Sequence, residues 1–160
     1  GLTEGNIAVL SFDFTGLGES EGEFSDSSFA AQAGDLISAA TFLHTEYGHA
    51  PELMIGHSLG GTASLYAARE IESVIGVATI GAPSDPEHVT RLFESDMDEI
   101  EKAGEVTVSI GGRPFSINKS FVDDLRSHPP DQWLSELRKN VIIFHSPVDT
   151  IVGIENASRI

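Results

Sequence analysis

The stretch Leu53-Met54-Ile55-Gly56-His57-Ser58-Leu59-Gly60-Gly61 constrains this chain more than any other. A short apolar run ends in G-x-S-x-G, and a segment rich in small residues follows at once (Thr62, Ala63, Ser64, Ala67, Ala68). That order predicts a strand, a sharp turn and a helix. Gly56 and Gly60 lack side chains, so strand and helix can approach closely around the turn. Ser58 is then expected in a strained backbone conformation with its hydroxyl exposed. The helix N-terminus behind it offers backbone N–H groups and a partial positive charge. A Gly-rich loop without chemistry could share this composition. The apolar run before the turn and the helical segment after it favour a working serine.

The flanking sequence repeats the alternation. Residues 7–14 are almost continuously apolar and read as a strand buried on both faces. A loop rich in glycine and acids follows, and Asp26, Ser27 or Ser28 can cap the next helix. In that helix Phe29, Ala33, Leu36, Ile37, Ala40 and Leu43 recur at three- and four-residue steps, and Gly48 and Pro51 end it. Residues 74–81 form a third apolar strand after the serine turn, and residues 141–145 a fourth. Strands alternating with helices predict an α/β class with a parallel sheet and flanking helices.

Residues 84–139 break the rhythm. Asp85 can cap a helix with Pro86 in its first turn, and Val89, Leu92, Phe93, Met97 and Ile100 stripe it. Residues 105–118 alternate, turn at Gly111-Gly112 and alternate back, which predicts a hairpin. Two short helices follow, separated by Pro129-Pro130. This block reads as an inserted lid, with residues 1–83 and 140–160 as the core. Its Leu92, Phe93, Phe115, Phe121 and Trp133 form either the lid's own small core or an acyl pocket, the former being preferred. The first residue is Gly, and residues 153–160 read as a helix that stops within its second or third turn. The domain is therefore expected to be truncated at both ends.

Composition narrows the partners. The 160 residues carry 25 acidic and 9 basic side chains, a formal net charge of −16. Such a surface repels phosphate backbones and anionic membranes, so neither nucleic acid nor membrane is expected as a partner. The absence of cysteine excludes disulfides, thiolate metal sites and a thiol nucleophile. No apolar run approaches a membrane span. A cytoplasmic location is the default expectation. Gly16, Gly18 and Gly22 do not keep dinucleotide spacing, there is no P-loop, and no metal-ligand spacing stands out. No cofactor and no metal is expected.

A serine hydroxyl needs a base, a carboxylate to orient that base, and N–H donors for the developing oxyanion. Ser58 is the candidate nucleophile, and the Leu59 backbone N–H is one oxyanion donor. Asp149 is the candidate acid, just past the carboxyl end of the last strand, where open parallel sheets place their functional groups. It could instead cap the final helix. Asp85 is the alternative acid, with capping its better role. The order nucleophile, acid, histidine leaves no base after Asp149. His44 and His49 lie far from the site, His57 should point away from Ser58, His88 and His128 belong to the insertion, and His145 reads as a packed strand residue. The base and the second oxyanion donor are expected outside these residues.

Three motifs, in order, carry a family resemblance. Asp13-Phe14-Thr15-Gly16-Leu17-Gly18-Glu19-Ser20 is similar to a D-x-x-G-x-G-x-S loop. Gly56-His57-Ser58-Leu59-Gly60-Gly61 is similar to a nucleophile elbow. His145-Ser146-Pro147-Val148-Asp149-Thr150-Ile151-Val152 is similar to an acid-bearing turn. Together they resemble the α/β-hydrolase superfamily over most of the chain, with Thr15 where many members carry Arg. More narrowly, the loop from Phe12 and the turn Ile80-Gly81-Ala82-Pro83-Ser84-Asp85 resemble bacterial hydrolase domains often fused to an OsmC-like domain. The resemblance implies a serine hydrolase acting on small-molecule esters or related acyl compounds, inactive as the isolated piece. The alternatives are a non-catalytic hydrolase-like binding or fusion domain, and a non-hydrolytic enzyme sharing the elbow.

Overall fold

Residues 53–57 and 76–80 pair as the resemblance requires. The computed structural model describes residues 2–5, 7–110 and 112–160. Helix α1 (Phe29–Tyr47) is capped by Ser28, whose Oγ accepts the Ala31 N–H at 2.9 Å. It ends at Gly48, which adopts the left-handed conformation (φ 70°) and bonds back to the His44 carbonyl. Strand β1 (Leu53–His57) leads into helix α2 (Leu59–Ala67), and strand β2 (Gly76–Ile80) follows.

Residues 84–139 then begin with a 3₁₀ segment, Pro86–Asp96, and continue in helix α3 (Met97–Ala103). The single striped helix expected here is thus two pieces. The backbone leaves helical geometry at Phe93 (φ −138°), whose ring is fully buried, so ring packing overrides helical continuity. Strands β3 (Glu105–Ile110) and β4 (Arg113–Asn118) form the expected antiparallel hairpin, with Val106 opposite Ile117 and Val108 opposite Phe115. Of its expected Gly111-Gly112 turn, Gly111 lies outside the described residues; Gly112 has a φ of 80°. Helices α4 (Lys119–Arg126) and α5 (Pro130–Trp133) and a 3₁₀ turn lead to strand β5 (Asn140–Phe144), and α6 (Glu155–Arg159) closes the chain.

The sheet is parallel in the order β1-β2-β5, with Ile55, Ala78 and Ile142 in register. It holds three strands among the described residues, not the four expected. Residues 7–14 form no ladder, and Ile7, Val9, Leu10 and Phe12 are exposed. Apolar composition supplies burial propensity, whereas a strand exists only through its pairing. Here a cleft of about 280 Å³, lined by Leu10, Phe12, Phe14, Leu53 and Ile55 among others, lies between this segment and β1.

One face of the sheet is covered. Met54 and Val77 pack with Leu65 and Ala67 of α2, Ala68 at its C-cap, Ala33 and Ala40 of α1, and Trp133. Fully burying a Leu or Val side chain contributes roughly 1.5–3 kcal/mol, so Leu65 and Val77 are principal anchors of this layer. The opposite face, with Leu53, Ile55, Ile80, Ile142 and Phe144, is exposed.

Residues 84–139 supply most of a second apolar cluster. Phe93, Ile100, Val108, Ile117, Phe121, Val122 and Leu125 pack together and against Phe29 and Ala63. Phe93 and Phe121 lie in this cluster with Phe115 packed against it, as preferred, whereas Leu92 is exposed and Trp133 joins the sheet-side cluster instead. The block is fastened to α1 by Asp124, whose Oδ2 accepts the Phe29 N–H at 2.7 Å and the Ala30 N–H at 3.2 Å. Next to it the rings of Phe29, Tyr66 and His128 meet edge to face, and Trp133 meets Tyr66 in the same way.

Candidate active site

The serine turn is built by close approach. A Cβ at Gly56 would lie 2.4 Å from the Gly60 carbonyl oxygen and 2.6 Å from Gly61 Cα. One at Gly61 would meet Ala82 Cβ at 2.7 Å. Gly60 differs from the expectation: a Cβ there would rest at 3.5 Å from the Phe14 ring, an ordinary contact. The glycines that steric contact demands are therefore Gly56 and Gly61. Between them Ser58 has φ 53° and ψ −133°, the one positive-φ residue other than glycine among the described residues. Strain of this kind costs of order 1–3 kcal/mol and persists only where the surroundings impose it.

Those surroundings are identifiable. The Ser58 N–H donates to the Ile80 carbonyl at 2.9 Å, and its carbonyl accepts the Gly61 N–H at 2.8 Å. The turn is thus pinned to the end of β2 and to the first turn of α2. Leu59 is the first residue of α2, a position whose N–H has no partner within its own helix. Ser58 itself is half-buried, and among the described residues no side chain hydrogen-bonds its hydroxyl.

The loop that carries Asp149, the candidate acid, leaves β5 beside this turn. The Gly81 N–H bonds the Phe144 carbonyl at 2.8 Å, so the turns after β2 and β5 lie side by side at the carboxyl end of the sheet. Asp149 Oδ1 accepts the Ile151 N–H at 2.9 Å and the Val152 N–H at 3.0 Å. Helix α6 begins later, at Glu155, and its N-cap makes no side-chain bond. Asp149 therefore shapes its own loop and does not cap that helix. The Val152 and Ile151 N–H groups hold its carboxyl below the usual carboxylate range, with smaller contributions from His145 and His57. Its Oδ2 takes no bond from the loop; a Cβ added at Gly81 would sit 3.4 Å from it.

The other candidates fall into structural roles. Asp85 Oδ1 accepts the Glu87 N–H at 2.9 Å, which makes it the cap of the 3₁₀ segment. His145 Nε2 donates to the Val152 carbonyl at 2.7 Å, and its Nδ1 is buried without a partner among the described residues. His57 stands on the exposed sheet face, in register with Ile80 and Phe144. His128 Nδ1 bonds the Asp124 carbonyl at 2.8 Å.

Two contacts lay beyond sequence reasoning. Buried Asn156 accepts from the Ser84 N–H at 3.0 Å and the Ser84 hydroxyl at 3.1 Å, and donates to the Gly153 carbonyl. His88 Nε2 donates to the Ile151 carbonyl at 3.0 Å. Both join segments far apart in the chain, and neither leaves a local pattern. Among the described residues no group of side chains could hold a metal ion, and no helix is long and apolar enough to cross a membrane.

Known proteins resemble this chain in sequence and fold. Residues 1–130 match the family of serine aminopeptidase S33, Hydrolase_4. The chain is 31% identical over 129 residues to the mitochondrial palmitoyl-protein thioesterase ABHD10 of Rattus norvegicus, a match covering 76% of this chain and 41% of that protein. It is 40% identical to the esterase domain of a Rhodothermus marinus protein, with a TM-score of 0.63, covering 87% of this chain and 56% of that structure. Mouse α/β hydrolase domain-containing protein 10 superposes with a TM-score of 0.68 at 25% identity, covering 92% of this chain and 60% of that structure. The chain thus spans less than half the length of the curated relative. Matched over residues 1–130 and sharing a parallel sheet and fold with these hydrolases, the chain belongs to the serine aminopeptidase S33 (Hydrolase_4) family of α/β-hydrolases.

Proposed function

We propose that this chain carries the nucleophile and the acid of a serine hydrolase that cleaves esters or thioesters of small acyl compounds. The observation that carries the reading is the backbone of Ser58, forced to φ 53° at the start of α2. A glycine would occupy that conformation without strain, and serine there adds only a hydroxyl. In the proposed reaction Ser58 Oγ attacks the acyl carbonyl while a histidine following Asp149 in the full-length protein takes its proton. The Leu59 N–H stabilises the oxyanion, and the leaving alcohol or thiol receives the proton back from the histidine. Water then releases the acid from the acyl-enzyme. Asp149 orients the histidine through Oδ2, its Oδ1 being engaged by the loop. Residues 84–139 form the cap over the acyl site.

The reading is supported by similarity to an esterase domain and to a palmitoyl-protein thioesterase. Both kinds of substrate present a carbonyl with an oxygen or sulfur leaving group to one nucleophile. A serine-reactive phosphonate should label the full-length protein at Ser58, as read by peptide mass spectrometry, and Ser58→Ala should abolish the label. Labelling at another residue would overturn the assignment.

A further inference from the structure

The acid loop is gripped from both sides of its backbone. On one side Asp149 Oδ1 takes the N–H groups of Ile151 and Val152. On the other side two histidines take the carbonyls of the same two residues. His145, at the end of β5, donates to Val152 at 2.7 Å, and His88, within the insertion, donates to Ile151 at 3.0 Å. A carbonyl can only accept, so each Nε2 carries the hydrogen. With Oδ1 doubly engaged, the loop's backbone sets the direction in which Oδ2 points.

His88 is itself firmly placed. Its N–H bonds the Asp85 carbonyl at 3.1 Å, in the turn that Asp85 caps. The neighbouring Glu87 carboxylate pairs with Arg126 of α4 at 3.1 Å. Glu87 also anchors the Thr90 hydroxyl through its carbonyl. A continuous run of contacts therefore leads from α4 through Glu87 and His88 to the peptide that Asp149 holds.

We propose that His88 is a positioning residue that ties the insertion to the acid loop and sets the orientation of the free Asp149 oxygen. The proposal rests on Ser58 and Asp149 acting as nucleophile and acid. It adds that the insertion supports the acid as well as standing over the site. His88 touches neither substrate nor the reacting atoms. The consequence is that a change in the insertion reaches the rate of serine attack through one side chain.

The test compares the rate of Ser58 labelling by a serine-reactive phosphonate in the full-length protein, its His88→Ala and His88→Gln variants, and Ser58→Ala as reference. The amide nitrogen of Gln can occupy the Nε2 position and keep the donor. His88→Ala should slow labelling by about tenfold, the scale of a modest misplacement of a catalytic group. His88→Gln should restore most of the rate, with the thermal midpoint of both variants near that of the parent. Labelling of His88→Ala at the parental rate would overturn the proposal while leaving the nucleophile assignment intact. So would a loss that Gln does not restore and that follows a lowered thermal midpoint, because that pattern marks a general packing role. If the parent protein is not labelled at Ser58, the nucleophile assignment and this proposal fall together.

Discussion

Ser58 carries its hydroxyl on backbone geometry that its neighbours impose. Gly56 and Gly61 let strand and helix close to contact, and the Ile80 carbonyl holds the Ser58 N–H. The strand, sharp turn and helix around Ser58 were legible from spacing alone. The division of labour among the glycines was not, because G-x-S-x-G points to Gly60 and leaves out Gly61, whose need shows only when Ala82 is seen against it and the Phe14 ring at ordinary contact from Gly60. The place of Asp149 just past the end of β5 was legible, but its two N–H donors depend on the loop closing on itself. Those donors make its titration informative. A carboxyl depressed in the folded state contributes stability above its unfolded value, about 3.9, and loses it as pH falls through the lower folded value. Asp149→Asn should therefore cost turnover by about four orders of magnitude at neutral pH if it orients the base. The difference in denaturation midpoint between parent and variant should shrink below about pH 4. Near-normal turnover of the variant at neutral pH would remove Asp149 from the catalytic set.

At the scale of elements, legibility followed how local the determinant was. The β3–β4 hairpin emerged where alternation and a glycine turn predicted it, and α1 ran from one of the expected serine caps to its glycine stop. The 7–14 segment failed as a strand because pairing is not local: its apolar residues satisfy every sequence criterion, and yet it forms no ladder. The single helix expected across Phe93 failed for a similar reason, since a ring packed into a core with Ile100 and Phe121 is invisible to helical periodicity. The capping of α1 is partly borrowed. Ser28 satisfies one N–H, and Asp124, from α4, satisfies the two before it. Replacing Asp124 by Ala should cost about 1–2 kcal/mol, the range for a lost N-terminal cap with its charge. Urea denaturation measures this, and a loss below a few tenths of a kcal/mol would mean that water replaces the carboxylate.

Among the described residues two apolar clusters meet at α2 and α1, and Ser58 and Asp149 follow the carboxyl ends of parallel strands. The uncovered sheet face, with Leu53, Ile55, Ile80, Ile142 and Phe144, is a contiguous apolar surface of the kind that marks contact with another surface. The 160-residue chain expressed alone should bind a hydrophobic dye such as ANS, and Ile55→Lys with Ile142→Lys should cut that fluorescence severalfold. Unchanged dye binding would locate the apolar surface elsewhere. The strand pairing has one more consequence. β2 and β5 are adjacent and parallel, and residues 84–139 are the path between them. Parallel neighbours cannot be joined by a tight turn, because the chain must travel back along the sheet before it re-enters. The block that looks like an ornament on the fold is also its crossover. A minimised version of this protein would need a spanning linker of a dozen residues or more in its place, and trimming it to a short loop would dismantle the sheet it was meant to spare.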